Sequence, residues 1–241
     1  MERRFFLTAM PAVVALELAE RERGVSPTQA QAARSGCKPL HPPARGPIDV
    51  AFLVSEGATV IDFTGPWEVF QDVDLPEREG AAFRLFTVAA SREPVRVTGG
   101  LQIVPDYAVA DAPAPRVVVV PAMRRSPAVV DWLKKTSVTA DLVMSVCTGA
   151  FVLGHAGLLA GKKATTHHDF HDQLKTQFPD VTLERGVRYV EGASNVATAG
   201  GLTSGIDLAL HVVERYFGRD VAQRTATYME YQGKGWLTQT A

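Results

Sequence analysis

Met144-Ser145-Val146-Cys147-Thr148-Gly149-Ala150 joins two segments of different periodicity near the middle of the chain. The apolar run 141–146 predicts a buried strand, and apolar residues at helical spacing over 149–159, before Gly161, predict a helix. Cys147 therefore follows the end of a strand, which is where open α/β sheets bind ligands. A tight turn from strand to helix is often strained and directs its side chain into the crevice.

Segments of the same two kinds alternate on both sides of this turn. Strands are predicted at the apolar or β-branched runs 49–54, 84–90, 117–120, 187–190 and 195–199. Helices are predicted at 127–135 with Ser126 as cap, at 206–217 before Gly218, and at 221–231. Strands separated by helices imply parallel crossovers and a sheet covered on both faces. The sequence predicts one α/β domain, residues 48–241, built as a three-layer sandwich around a mostly parallel sheet.

Composition and charge exclude several classes of protein. The 241 residues are 46% hydrophobic and 21% charged, which is close to the globular average and argues against disordered and fibrous chains. The net charge of -1 provides no electrostatic footprint for nucleic acid, so no nucleic-acid partner is expected. Two cysteines, Cys37 and Cys147, cannot build a disulfide framework. Cys147 therefore needs an explanation of its own.

The first 47 residues are predicted to form a leader and a connector. Arg3 and Arg4 precede a short, mostly apolar stretch, and Ala30-Gln31-Ala32 follows, an arrangement that resembles a twin-arginine export signal. The apolar stretch is too short to span a bilayer, so no stable membrane anchor is expected. The alternatives are an amphipathic N-terminal helix or a start codon placed too early, in which case the protein is cytoplasmic. Prolines within 39–47 predict a stiff connector.

Cys147 and Asp62 are the candidate reactive side chains. The helix start after Cys147 supplies free N–H groups and positive potential, which predict a lowered thiol pKa; the alternative is a small buried residue of the core. Asp62 follows the first strand, so its carboxyl group can reach the same edge of the sheet. It either caps a helix that begins at Gly65-Pro66, a role that Thr64 could also fill, or transfers protons with a pKa raised by burial and a neighbouring thiolate.

Two other stretches carry patterns that suggest a site. His167 and His171 have the spacing of one helix face, but the sequence offers no third and fourth ligand at helpful spacing. A capped, solvated helix start is therefore favoured over a metal site. The run 200–205 lacks the spacing of a phosphate-binding loop. It predicts a tight turn from strand to helix whose backbone approaches a ligand near the thiol.

Several short motifs in this order resemble the ThiJ/PfpI superfamily, a branch of the class I glutamine amidotransferase-like fold. The resemblance extends from about Ile48 to the C-terminus, and its most specific parts are Ile61-Asp62-Phe63-Thr64-Gly65-Pro66, Ser145-Val146-Cys147-Thr148-Gly149-Ala150, Ala164-Thr165-Thr166-His167 and Gly200-Gly201-Leu202-Thr203-Ser204-Gly205-Ile206-Asp207. It implies a flavodoxin-like sandwich and the homodimer usual in the family. Within the superfamily the chain is most similar to isonitrile hydratases and to the ligand-sensing halves of AraC-like regulators.

The resemblance also implies roles for individual residues. Proteases and deglycases of the group usually have glutamate at the position of Asp62, and the protease type has histidine at the position of Thr148. The hydratase pattern fits instead, with Cys147 as nucleophile, Asp62 as proton donor and acceptor, and Thr148 as a hydroxyl that steadies the thiolate or its adduct. The residues expected to line the site are His167, Gly149, Gly65, Gly201 and Leu202. No metal or organic cofactor is implied.

Three functions compete at this point. The first is a cysteine-dependent hydratase or hydrolase of a small molecule, of the type that converts an isonitrile to an N-substituted formamide through a covalent Cys147 intermediate. The second is a non-enzymatic protein whose Cys147 senses oxidants or electrophiles. The third is the sensor domain of a transcriptional regulator, which is disfavoured because the 23 residues after Gly218 leave no room for a helix-turn-helix module.

Overall fold

The computed structural model describes residues 39–191 and 194–237. The predicted export signal lies outside these residues. The strands, named in chain order, are β1 Ile48–Leu53, β2 Phe83–Ala89, β3 Val95–Arg96, β4 Gln102–Ile103, β5 Tyr107–Ala108, β6 Val117–Val120, β7 Leu142–Ser145, β8 Lys163–Ala164, β9 Thr182–Leu183, β10 Tyr189–Glu191 and β11 Val196–Ala199. The helices are α1 Val60–Gln71, α2 Pro127–Thr136, α3 Gly149–His155, α4 His171–Gln177, α5 Ser204–Phe217 and α6 Arg219–Tyr228.

Seven strands form the central sheet in the order β10-β11-β7-β6-β1-β2-β5. All neighbouring pairs are parallel except β10 with β11, which is antiparallel and lies at one edge. The strands β6 and β7 are central and buried at every position, as expected of a parallel sheet covered on both faces. This arrangement confirms the predicted α/β sandwich with a mostly parallel sheet.

The core is divided into two layers, one on each face of the sheet. Along β1, Val50 and Phe52 pack into one apolar cluster, while Ala51 and Leu53 pack into the other, as the alternation of side chains along a strand requires. Helices α1, α5 and α6 contribute to the first cluster, and α2, α3 and α4 contribute to the second. Within the described residues no helix is long and apolar enough to cross a membrane.

Helix boundaries agree with the sequence where a capping residue marks them. Ser126 Oγ accepts a hydrogen bond of 3.3 Å from the backbone N–H of Val129 and caps α2, as predicted. Gly218, with φ of 89°, ends α5. The predicted extent of α3 was wrong, because the helix ends at His155 and Gly157 then takes φ of 74°.

The start of α1 was also predicted wrongly. The helix begins at Val60 instead of at Gly65-Pro66, so Pro66 lies inside it and Asp62 lies in its first turn. Thr64 donates a hydrogen bond of 2.8 Å to the carbonyl of Val60 and does not cap the helix. Proline in a helix interior removes one backbone hydrogen bond, and packing of α1 against α5 and the sheet holds the helix in spite of it.

Candidate active site

Cys147 lies on a tight turn between β7 and α3 and adopts φ of 57°. A non-glycine residue in this left-handed region is uncommon and is held there by its surroundings. Its N–H donates to the carbonyl of Gly200 at 2.8 Å, and its carbonyl accepts from the Thr166 hydroxyl at 2.8 Å. The predicted strained elbow is therefore present, with the thiol at the carboxyl end of the sheet.

Gly149 allows the turn to pack closely against the neighbouring strand. A Cβ atom at this position would overlap the carbonyl oxygen of Val120 and lie 2.8 Å from that of Pro121. Both obstacles are backbone atoms at the end of β6, which cannot move without disturbing the sheet. Gly149 is thus required for the close approach of α3 to the sheet. This role is structural, whereas the prediction was that Gly149 lines the site.

Asp62 lies below the thiol and is completely buried. The backbone N–H of Ala122, which follows β6, donates a hydrogen bond of 3.0 Å to Asp62 Oδ2. Asp62 Oδ1 is buried and has no hydrogen-bond partner of ordinary geometry among the described residues. Capping, one of the two roles predicted for Asp62, is wrong, since its side chain accepts a hydrogen bond from Ala122 after β6 and caps no helix.

The carboxyl group of Asp62 and the thiol of Cys147 interact directly, although 84 residues separate them along the chain. Burial, opposed in part by the hydrogen bonds of Ala122, Cys147 and Leu202, raises the pKa of Asp62 to about 6. Burial and then the negative charge of Asp62 raise the pKa of Cys147 to about 11. The predicted lowering of the thiol pKa is therefore wrong: the N–H groups at the helix start favour the thiolate, but desolvation and the carboxylate outweigh them.

Two backbone N–H groups face the sulfur of Cys147. Those of Thr148 and Leu202 hydrogen-bond to it and lower the pKa of the thiol in part. Leu202 also adopts an uncommon φ of 53°, in the turn between β11 and α5. The tight turn predicted at 200–205 is present, and its backbone approaches both the thiol and Asp62. The contact of Thr148 with the sulfur is made by its backbone, and the predicted role of its hydroxyl stays a prediction.

Three of the remaining residues predicted to line the site have close neighbours in the structure, and their place in the site stays a prediction. Gly201 lies beneath the ring of His167, which a Cβ atom at Gly201 would overlap. Gly65 packs against the side chain of Ile206, with 3.0 Å from its ideal Cβ position to Cγ1. Ala122, whose backbone N–H binds Asp62, was not predicted from the sequence, because every residue except proline has a backbone N–H and the residue type gives no signal.

The histidine run forms the capped, solvated helix start that was favoured: His167 Nδ1 accepts a hydrogen bond of 3.3 Å from the backbone N–H of Asp169, and His168 is exposed. The predicted shared helix face of His167 and His171 is wrong. His167 precedes a 3-10 turn, His168–Phe170, whereas His171 starts α4, so the two do not share a helix face. His171 is buried, with its Nε2 3.4 Å from the Thr165 hydroxyl. Three possible metal-ligand atoms, one each from His167, His168 and Asp169, lie within 4.8 Å of one another. Spacing of histidines alone did not reveal Asp169 as a third possible ligand.

The chain is similar to known proteins in sequence and in fold. Over 190 aligned residues the chain is 34% identical to the isonitrile hydratase of Pseudomonas putida. The alignment covers 76% of this chain and 78% of that protein. It is 27% identical over 197 residues to the HTH-type transcriptional regulator GbdR of Pseudomonas aeruginosa, covering 79% of this chain and 53% of the regulator. The solved structure of a ThiJ/PfpI family protein from Pseudomonas syringae superimposes with a TM-score of 0.69 at 25% identity, covering 95% and 84% of the two chains.

Residues 49–215 match the sequence profile of a protein family, DJ-1/PfpI, and include every site residue described above. The matched region runs from β1 into α5 and contains the elbow, Asp62 and the turn at Leu202. Because this match covers well over half of the sequence, the chain belongs to the DJ-1/PfpI family.

Proposed function

We propose that this protein is a cysteine-dependent hydratase that converts a small isonitrile to an N-substituted formamide. The observation that carries the proposal is the buried pair of Cys147 and Asp62, in which a thiol and a carboxyl group interact at one edge of the sheet. The identity with an isonitrile hydratase over most of both chains supports the same reaction.

The pKa values define the resting protonation state. At neutral pH the Asp62 carboxyl group, with a pKa of about 6, is mostly ionised, and the Cys147 thiol, with a pKa of about 11, keeps its proton. The Asp62 carboxylate is then the base that can accept the proton of the Cys147 thiol, with which it interacts directly. This state suits addition of S–H across a substrate, because nucleophile and proton are present together.

In the first step the sulfur of Cys147 attacks the terminal carbon of the isonitrile, forming an S–C bond. The thiol proton passes to Asp62 and from there to the same carbon, which becomes the CH of a thioformimidate. No atom leaves, and the carboxylate is restored. Backbone N–H groups of Thr148 and Leu202, which stabilise charge on the sulfur, lower the energy of the developing thiolate.

In the second step water adds to the thioformimidate carbon while Asp62 accepts a proton from it. The nitrogen gains a proton, the S–C bond breaks, and the sulfur leaves with a proton as the thiol of Cys147. The products are an N-substituted formamide and the original enzyme, so that one isonitrile and one water are consumed. Asp62 thus acts in both steps, first as a relay and then as a base.

The protonation state also weighs against a sensor function. Oxidation and electrophile sensing require a thiolate that is accessible at neutral pH. Here burial and Asp62 raise the pKa of Cys147 well above neutrality, and only 7% of the residue is exposed. A thiol that is deprotonated only during reaction fits turnover better than sensing.

The test is turnover of a small alkyl isonitrile, followed by NMR detection of the formamide, by the wild type and by Cys147→Ser. The proposal expects formamide from the wild type and a loss of at least about 10³-fold in the variant, since a covalent nucleophile is removed. Cys37→Ser, which removes the other cysteine, is the matched control and should retain activity. Equal turnover by wild type and Cys147→Ser, or none by either, would contradict the proposal.

A further inference from the structure

A cavity of about 460 Å³ is lined by Thr148, the residue that follows Cys147 in the chain. It is built by the continuations of the segments that hold the site: the loop after Ala122, the helix after Cys147, and the turn and helix after His167. Its lining residues are Met123, Arg124, Arg125, Thr148, Phe151, Val152, His155, Phe170, Gln173 and Gln177. Because Thr148 belongs to both, the cavity adjoins the turn that carries the nucleophile.

The charge of this cavity has one sign. Arg124 and Arg125 are exposed, and neither guanidinium has an ion-pair partner in residues 39–191 and 194–237. Among the described residues that line the cavity there is no aspartate or glutamate. Desolvation and then the charge of Arg125 lower the pKa of His155, so the ring senses the positive field of the arginine. Most other arginines of the described chain have a carboxylate partner, as Arg84 and Arg116 do.

Besides the two arginines, the cavity is lined by the polar side chains of Thr148 and His155, by apolar and aromatic side chains, and by two amides. Phe151 and Phe170 contact each other edge to face, with centroids 6.4 Å apart, and form an aromatic wall next to Val152. Gln173 and Gln177 of α4 provide neutral polar groups on another side. The volume of this cavity lies within the range typical of small-molecule sites, and its walls combine polar groups with an aromatic pair. The combination suits a ligand with an apolar body and a negative group.

We propose that this cavity binds the part of the substrate remote from the isonitrile and that this part carries an anionic group, in the simplest case a carboxylate. Arginine presents a planar fork of donors that matches a carboxylate, and two unpaired arginines provide both charge and hydrogen bonds. The aliphatic or aromatic body then lies against Phe151 and Phe170. This inference rests on the proposed hydratase activity for the identity of the reacting group, but not for the anion preference.

The experiment compares two substrates of equal size that differ in charge, 4-isocyanobutanoate and 4-isocyanobutanamide. The wild type should prefer the carboxylate by at least about tenfold in kcat/KM, the effect of about 1.4 kcal/mol. The double variant Arg124→Gln/Arg125→Gln should bring the ratio close to one. Arg224→Gln removes one positive charge from an exposed site on α6 outside the cavity and should leave the ratio unchanged, whereas each single variant, Arg124→Gln or Arg125→Gln, should lower it. A wild-type ratio near one, or a ratio that the double variant retains, overturns the proposal.

A binding measurement separates failure of this proposal from failure of the hydratase activity. Titration calorimetry of Cys147→Ser with 4-formamidobutanoate and with its amide tests the cavity without turnover. Tighter binding of the carboxylate, lost in the Arg124→Gln/Arg125→Gln background and weakened by added salt, supports the anion site even if no isonitrile is hydrated. Equal binding of the two compounds overturns the anion site even if isonitriles are hydrated.

Discussion

At the scale of single residues, the environment of Cys147 decides its chemistry more than its place at a helix start. The sequence indicates both Cys147 and its carboxyl partner, but the helix start after Cys147 suggests a lowered thiol pKa, which is the wrong direction. The reason is that desolvation depends on everything packed around the sulfur, and the negative charge comes from Asp62, which lies on α1, far from Cys147 in the sequence. The local N–H groups, which the sequence did reveal, are the smaller effect.

The pKa of Asp62 predicts the acid side of the pH–rate profile. With the carboxylate as the base, kcat/KM for an isonitrile should rise about tenfold per pH unit below pH 6 and level off above it. The plateau should extend through pH 9, because the thiol of Cys147 does not ionise until about pH 11. Stopped assays between pH 4.5 and 9.5 measure this profile. A rate that climbs through pH 8–9 would instead identify a preformed thiolate as the reacting species.

The same pKa predicts that Asp62 reduces stability at neutral pH. Its folded-state pKa is raised from 3.8 to about 6, so its stabilising effect is present below pH 3.8 and is lost as pH rises through 6. At about 1.4 kcal/mol per pKa unit, the loss is about 3 kcal/mol. Asp62→Asn should therefore gain free energy of unfolding relative to wild type between pH 4 and 7.5, as measured by urea denaturation.

A control variant isolates the effect of burial. Asp131→Asn removes an exposed carboxylate of α2 and should show a much smaller change with pH relative to wild type. If Asp62→Asn and wild type lose stability in parallel over this range, the Asp62 carboxyl group is not held protonated by its surroundings, and the account of its pKa is wrong.

At the scale of elements, the elbow depends on the close approach of α3 to β6. Gly149→Ala should lower the free energy of unfolding by about 1–3 kcal/mol and reduce activity, because the added methyl meets backbone oxygens that cannot move aside. Gly65→Ala is the matched comparison in the same site: its methyl meets only a side chain, and alanine favours the helix interior, so the cost should stay below about 1 kcal/mol. Equal losses in the two variants would contradict the steric argument.

The same scale shows which elements can be predicted from sequence. The all-valine strand β6 and helix α2 with its serine cap were located to within a residue, because each carries its own local signal. The start of helix α1 was not located, since Gly65 and Pro66 suggest that the helix begins there. Tertiary packing instead stabilises a helix that begins at Val60 and includes both residues. Local signals therefore predict an element well until packing from distant segments overrides them.

At the scale of the whole molecule, the sheet order brings the site together. β1, β6, β7 and β11 are near neighbours in the sheet, and the segments after them carry Asp62, Ala122, Cys147 and Leu202. Sequence reasoning could place Asp62 and Cys147 at one edge of the sheet because parallel strands share a carboxyl edge. It could not predict Ala122 or the arginine-lined cavity, since both depend on strand order, which periodicity does not specify.

The leader gives a prediction about the full chain. If the first residues are a twin-arginine signal, a tagged protein produced in a bacterium should be recovered from the periplasm with its N-terminus shortly after Ala32. Arg3→Lys combined with Arg4→Lys should retain it in the cytoplasm at full length. Fractionation with N-terminal sequencing measures both. An intact N-terminus in a cytoplasmic fraction of the wild type would contradict the export prediction.

The central claim is that Cys147 forms the covalent bond while Asp62 moves the protons, and one measurement tests both parts. Intact-mass analysis after rapid mixing with an alkyl isonitrile should show wild-type protein transiently heavier by the mass of one isonitrile, with formamide appearing as the adduct decays. Asp62→Asn should lose turnover by about 10²-fold or more, yet its thiol should still react with iodoacetamide. An adduct absent from the wild type, or retained in Cys147→Ser, or full turnover by Asp62→Asn, would contradict the account.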